Sequence, residues 1–496
     1  MKRIAIIGGG IAGVSAAYEL AMERQAGAAI EFALLESAPR LGGIVETIRR
    51  DDFVIEGGPD SWVTEKPWAR DLALELGLES GIVASQDDRR RTYLAKDRTL
   101  IAMPDGMRMM VPGQWASVLN SPLFSWQAKL AYLREAERAE ELKASALGVA
   151  GSVGDESVRD FVCRHFGAEV ADTMAAPLLA GVFGGDIVSL STRAVLPALV
   201  ALEKEHGSLI LGLQHRMRTA KVSAPVFTTL RQGLGSLIDA MELRIPEACV
   251  HRGVTAEYVA RTGEGWVIGG EAAAGGWKAG AQPFDAVLVA TPAKTTAKLL
   301  GPLDEQISGL LPQQSSSAIV VALAFSVEKA AAMRIPRGFG FLVPRIGSQS
   351  DAAGTRDEDA EAVAARALLA CTFVDQKFPY RASPGGVLLR AFFGGSDAMP
   401  LLAENDVALM DLAHTALGRI LGKLPEPSIA LVRRWPDSLP LYAVGHLARM
   451  DALDTRIARL PHLRVVGNAY RGVGLPDLIH AGRMAARTMV AELAEA

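Results

Sequence analysis

Ile4-Ala5-Ile6-Ile7-Gly8-Gly9-Gly10-Ile11-Ala12-Gly13, followed by small or apolar residues at Val14, Ala17, Leu20 and Ala21, is the stretch on which the fold turns. The β-branched run predicts a buried strand, the glycines a turn, and the spacing after them one face of a helix. Gly8 permits the tight turn, Gly10 lets backbone approach a pyrophosphate, and Gly13 allows helix and strand to pack closely. Free N–H groups at the start of that helix would face an anion. A second run, Ile30 to Leu35, ends in Glu36, about 20 residues beyond the glycines, where a carboxylate can bond a ribose hydroxyl and disfavours a 2'-phosphate. FAD and NAD share this fingerprint.

The next residues separate the two. Arg40-Leu41-Gly42-Gly43 follows Glu36, and Glu56-Gly57-Gly58-Pro59 comes after it. Arg40 offers cationic donors to phosphate, and Gly42 and Gly43 permit backbone close to a ligand. The order Glu-x3-Arg-x-Gly-Gly resembles the second dinucleotide segment of the FAD-dependent amine oxidase superfamily, where it wraps the FAD pyrophosphate. Two distant strands, Phe284 to Pro292 and Cys249 to Val254, are similar to those that complete the FAD sheet in such proteins, and the resemblance puts the Val254 backbone at the adenine. Leu463 to Asn468 reads as a strand, and Gly472 to Asp477 leads into a helical stretch from Leu478 to Leu493. Its positive N-terminal end would stabilise negative charge on a reduced flavin, and the resemblance assigns Gly467 and Gly474 to the cofactor.

Composition sets the outer limits. The 496 residues, 49% hydrophobic and 22% charged, can bury a large core and exceed the roughly 150 residues of one domain. A net charge of -4, spread along the chain, leaves no footprint for nucleic acid. Cys163, Cys249 and Cys371 are far apart and lack metal-ligand spacing, which argues against a disulfide framework, a zinc site or an iron-sulfur cluster and fits a reducing, cytoplasmic setting. No apolar run reaches the ~18 residues of a membrane span. The acidic stretch from Gly347 to Arg366 reads as a solvated surface insertion.

Between the dinucleotide segments lies a long insertion with helical patterns at Trp126 to Ala146, Ser157 to Phe166 and Ala168 to Leu179, with Ser157 as an N-cap. Met103 to Trp126 collects Met107, Met109, Met110, Trp115, Leu119 and Phe124. That is either a peripheral membrane contact or substrate mouth, or the packing of a helical lobe. Leu178-Leu179-Ala180-Gly181-Val182-Phe183-Gly184-Gly185-Asp186 with Leu190-Ser191, Gly338 to Pro344, Phe392-Phe393-Gly394-Gly395, and Trp435-Pro436 with Gly445-His446 follow in order. Together they resemble the oxygen-dependent porphyrinogen oxidases over essentially the whole chain. The fold this implies is α/β (α+β) and interleaved. Residues 1–93, 223–300 and 435–496 form an FAD-binding Rossmann-like domain of the amine oxidase type, 94–222 a helical lobe, and 301–434 a mixed-sheet substrate domain.

The resemblance implies oxidation of protoporphyrinogen IX or coproporphyrinogen III to the porphyrin in haem synthesis, six electrons passing through FAD to O2 with H2O2 formed. The flavin carries the redox chemistry, so no acid-base triad is needed and His446 has no assigned role. Gly181, Leu342 and Phe392 occupy the positions that sandwich the macrocycle in similar enzymes, and Arg91 falls near an arginine that pairs with a propionate, with Arg89, Arg90 and Thr92 as alternative registers. Ser61 and Thr64 stand close to the flavin segment. An amine oxidase or carotenoid desaturase on the same scaffold is the competing enzyme reading, although Tyr470 alone does not make an amine cage. A non-enzymatic carrier, similar to prenyl-protein escort proteins, would have a degraded pyrophosphate site.

Overall fold

Ile4 to Ile7 show no polar alternation because both faces of their strand are covered: Ile4, Ala5 and Ile6 are fully buried. In the computed structural model, which describes residues 1–96, 98–151, 154–219, 225–272, 282–344 and 366–495, the Lys2–Ile7 strand is the centre of a parallel sheet. The order across it is Val250–Arg252, Ile30–Glu36, Lys2–Ile7, Ala286–Val289 and Leu463–Val465. Ile4 and Ile6 face the helices Ile11–Gln25 and Leu475–Glu495, while Ala5 and Ile7 face Trp266, Leu299 and Leu453. The two ends of the chain and its middle therefore build one nucleotide-type unit. The run from Cys249 to Val254, read as one strand, is divided at Gly253, whose φ of +69° turns the chain. Val250–Arg252 joins the parallel sheet, and Val254–Thr262 pairs instead with Gly265–Ala272.

A second, seven-stranded sheet runs in the order Ile429–Pro440, Ser315–Phe325, Val387–Gly394, Leu368–Phe373, Gly340–Leu342, Thr92–Lys96 and Thr99–Ala102. The boundary expected at 93/94 thus falls inside a strand, as does the one at 434/435. Both flanking strands belong to the seven-stranded sheet, and since their partners are distant in sequence no local signal marks the pairing. One face of this sheet, with Ile319, Val321, Leu389, Ala391 and Phe393, packs on the helix Asp406–Leu421.

The lobe between 103 and 219 is helical as expected, with different breaks. Trp126–Glu135 and Ala139–Gly151 are separate helices. Val158–Phe166 starts where predicted, Ser157 Oγ accepting the Asp160 N–H at 3.0 Å. The single helix expected over 168–179 becomes Ala168–Val170, a π turn Ala171–Ala175 and Ala176–Phe183. Pro177 has no N–H for the ladder and its ring crowds the preceding turn, so the helix widens there. Met110 and Phe124 lie in the lobe's core with Met103, Met107 and Trp115 packed against it, while Trp126 is 71% and Met109 39% exposed. Most of the 103–126 stretch is therefore packing. No described helix is long and apolar enough to cross a membrane. The acidic stretch at 347–365 lies outside the described residues.

Asp375 follows the Leu368–Phe373 strand and accepts the Leu388 N–H at 3.0 Å. Burial pushes its carboxyl up to about 6. A folded value above the unfolded one means that its contribution favours the fold at low pH and is lost as pH rises from about 4 through 6. Asp375→Asn, which keeps an acceptor for Leu388, is expected to stabilise the protein by about 1–3 kcal/mol at pH 7.5 and not at pH 4. Thermal melts across that range check both the sign and the window.

Candidate active site

The glycine turn makes a cradle of a particular shape. Gly8 has φ +106°, and a Cβ there would stand 2.6 Å from Ala290 O. A Cβ on Gly13 would stand 1.9 Å from Gly8 O, so helix and strand touch as the fingerprint requires. Gly10 is different: a Cβ there would meet nothing within 4 Å, and the Ile11–Gln25 helix has no side-chain cap. An uncapped helix N-terminus opening on free space at a glycine fits a diphosphate. Gly42 N donates to Gly9 O at 2.7 Å, and a Cβ on Gly43 would stand 3.2 Å from Gly10 Cα, so the second glycine pair forms the opposite wall.

Glu36 accepts the Gly9 N–H at 2.6 Å and the Ala38 N–H at 2.7 Å, so it anchors the turn with both oxygens. Arg252 pairs with Glu36 in the sheet and Gly253 N donates to Ala38 O at 3.2 Å, which brings Val254 beside it. Arg40 donates to the carbonyls of Leu41 at 3.1 Å, Val45 at 3.2 Å and Gly43, holding its own loop in shape.

The far end of the chain joins the same place. Val466 N donates to Val289 O, which carries the chain past Gly467. Tyr442 Oη donates to Asn468 O at 2.7 Å and accepts the Gly472 N–H at 3.0 Å. The Leu475–Glu495 helix then crosses the first helix so tightly that a Cβ on Gly482 would lie 2.1 Å from Ala12 O. Its N-terminus, next to Gly474, lies about two turns, roughly 10 Å along the helix, before that crossing. Asp477 in its first turn is paired with Lys66 at 2.7 Å. His446 donates from Nε2 to Tyr470 O at 2.7 Å and stacks on Tyr442, ring centroids 3.9 Å apart. Burial lowers its pKa. It is a scaffold for the C-terminal segment.

The second face of the seven-stranded sheet forms a floor. Leu94, Leu342, Ala370, Phe392, Val320 and Arg433 are paired residue to residue across six strands, and so share one face. Leu342 and Phe392 are only half-buried, whereas Phe341 and Phe393 on the other face are at most 1% exposed. Over this floor lies the Ala176–Phe183 helix, which packs on the 368–373, 387–394 and 429–440 strands. A Cβ on its exposed Gly181 would meet nothing within 4 Å. Leu342, Phe183 and Val473 back onto one apolar cluster. Leu342 and Phe392 thus share one sheet face, and the helix that carries Gly181 packs on neighbouring strands of the same sheet. Arg91 stands one residue before the Thr92–Lys96 strand, with its guanidinium 4.0 Å from Asp105 and its side chain 52% exposed, while Thr92 pairs with Gly340 two residues before the Leu94–Leu342 pair.

Between cradle and floor runs Glu56 to Ser61, and around it lies a buried charge network that sequence reasoning missed. Arg381 is 2.9 Å from Glu56, which also accepts from Thr47 Oγ1 at 2.6 Å and Leu234 N at 2.8 Å. Lys377 donates to Asp60 at 2.9 Å and to Ser61 Oγ at 3.1 Å. Arg390 is 3.6 Å from Asp60 and donates to Gly58 O. Burial acts to raise the Asp60 pKa, but the charges of Lys377 and Arg390 outweigh it and hold the carboxyl well below its usual range. Glu56 is pushed up by burial despite Arg381. Ser61 serves Lys377, and Thr64 bonds Thr228 at 2.7 Å. The only signal in the sequence was a lone arginine inside Leu388-Leu389-Arg390-Ala391-Phe392.

Comparison with known proteins agrees with this geometry. Residues 11–490 match the family described as flavin containing amine oxidoreductase. Coproporphyrinogen III oxidase of Bacillus subtilis (strain 168) is 31% identical, covering 98% of this chain and 97% of its own length. Protoporphyrinogen oxidase of Homo sapiens is 29% identical, covering 98% of each. A crystal structure of an inferred protoporphyrinogen oxidase from Exiguobacterium sp. 255-15 superposes with a TM-score of 0.78 at 28% identity over 99% of both chains. A putrescine oxidase structure, 16% identical with a TM-score of 0.63, shares the fold. The chain belongs to the flavin-containing amine oxidoreductase family, in the branch it forms with coproporphyrinogen III oxidase and protoporphyrinogen oxidase.

Proposed function

We propose that this protein is an FAD-dependent oxidase that converts coproporphyrinogen III to the aromatic porphyrin, with O2 as the final acceptor. The observation that supports the reading is that half-buried Leu342 and Phe392 share one sheet face, in a chain whose glycine turn leaves open space at Gly10 for a diphosphate. Bound FAD supplies a two-electron acceptor, and three such oxidations complete the macrocycle. The chain's part is to seat a flat, greasy ring, exclude water and hold the carboxylate arms at the rim. Full-length similarity to coproporphyrinogen III oxidases favours the tetracarboxylate substrate.

Anaerobic mixing of the yellow holoprotein with each porphyrinogen tests the reading. Coproporphyrinogen III is expected to bleach the flavin, porphyrin fluorescence to grow when air is admitted, and the turnover ratio over protoporphyrinogen IX to exceed one. A flavin that neither porphyrinogen reduces refutes it. Arg40→Ala is expected to weaken FAD binding by about 10- to 100-fold, since the loop carrying Gly42 and Gly43 loses the guanidinium bridging its carbonyls. Flavin content after gel filtration reads that directly.

A further inference from the structure

Arg390 lies in an apolar strand and is 1% exposed. A buried guanidinium is unfavourable unless its charge and its five N–H groups are met. Here the partners are few: Asp60 at 3.6 Å, itself shared with Lys377, and the carbonyl of Gly58, while Nε has no partner. A methionine would fill such a strand position without that penalty. The charges of Glu56 and Arg381 also act on it, and on its own strand face it meets the Phe392 ring, whose centroid is 5.0 Å from Arg390 Cζ.

Each of these contacts leads to a different half of the site. Phe392 belongs to the chamber floor, in the row with Ala370 and Leu342. Gly58 belongs to the loop pressed against the cradle: a Cβ on it would stand 1.9 Å from Ile44 O, and Gly57 N donates to Glu46 O at 2.8 Å. One planar cation therefore bridges the substrate floor and the cofactor loop, a task for which a fork suits better than a point charge.

We propose that Arg390 is a positioning residue that fixes the spacing between the macrocycle seated on Phe392 and the flavin held by the 40–58 cradle, and that its charge raises the potential of that flavin. The proposal rests on the porphyrinogen oxidase reading for its substrate and on the buried geometry alone for its charge.

The experiment uses the full-length holoprotein and the variants Arg390→Lys and Arg390→Met. Lysine keeps the charge beside Asp60 but cannot hold Gly58 O and cover the ring together. Arg390→Lys is expected to retain FAD, to bind coproporphyrinogen III within about threefold of the parent, and to lose about tenfold or more in the limiting rate of anaerobic flavin reduction. Its flavin midpoint potential, measured by dye equilibration without porphyrinogen, should match the parent, while that of Arg390→Met shifts negative. If Arg390→Met does not fold, Arg390→Gln, a neutral variant whose amide can still donate to Gly58 O and which leaves Asp60 paired with Lys377, takes its place. A parent-like reduction rate in Arg390→Lys, or a loss carried wholly by weaker macrocycle binding, overturns the positioning role. An unchanged potential in the methionine variant overturns the charge. If no porphyrinogen reduces the parent flavin, the reading of the substrate fails, and the dye titration still decides on the charge.

Discussion

Gly10→Leu is expected to give a folded, colourless protein. The position has ordinary helical-entry backbone, φ -67°, and a side chain there meets no protein atom within 4 Å of its Cβ, so stability of the apoprotein should hardly change. The space it fills is the one left for a pyrophosphate at the uncapped helix end. Loss of that approach should weaken FAD binding by at least about 100-fold, or about 2.7 kcal/mol. Gly13 makes the contrast: a Cβ 1.9 Å from Gly8 O displaces backbone, so even Gly13→Ala should lower stability as well as FAD content. Circular dichroism melts and flavin absorbance of the two variants separate the effects, and a fully yellow Gly10→Leu protein would contradict the cradle.

Phe392→Ala should do the reverse, keeping FAD and losing turnover. The ring is half-buried on the sheet face it shares with Leu342, and the Arg390 guanidinium lies over it, 5.0 Å from its centroid. Its loss removes the aromatic face under the macrocycle and the cover over a buried guanidinium. A fall in kcat/KM of about 10- to 100-fold follows from contacts worth about 1.5–3 kcal/mol. Phe392→Leu should recover part of it. Stopped-flow reduction and flavin content, measured on one preparation, test this, and unchanged turnover would remove Phe392 from the substrate site.

Much of this site is legible in the linear chain. The glycine spacing and Glu36 specify a nucleotide cradle because the close approaches involved are local, within a turn of the residues themselves. Phe392, Leu342 and Gly181 come from a resemblance, and it is the sheet register that brings the first two together. The charge network is hidden because Glu56, Asp60, Lys377, Arg381 and Arg390 lie in segments up to some 330 residues apart, and no spacing rule reaches across such a gap. Arg91 shows the converse: a run of three arginines attracts notice, yet it is Thr92 and Leu94, inside the strand, that pair with Gly340 and Leu342.

That both ends of the chain serve one unit came from the resemblance; from the order of residues alone it follows that a strand, a glycine turn and a helix begin the chain and that a dinucleotide suits them. Those properties rest on short-range sterics and on apolar periodicity, which a linear string carries in full. Folding in three dimensions settles the rest: residues 92–96, 99–102 and 429–440 belong to the seven-stranded sheet, Glu36 and Arg40 spend hydrogen bonds on their own loops, and buried Arg390 meets both Gly58 O and the Phe392 ring. Strand partners and buried ion pairs are chosen by which surfaces exclude water together, a property of the assembled chain that no local window contains.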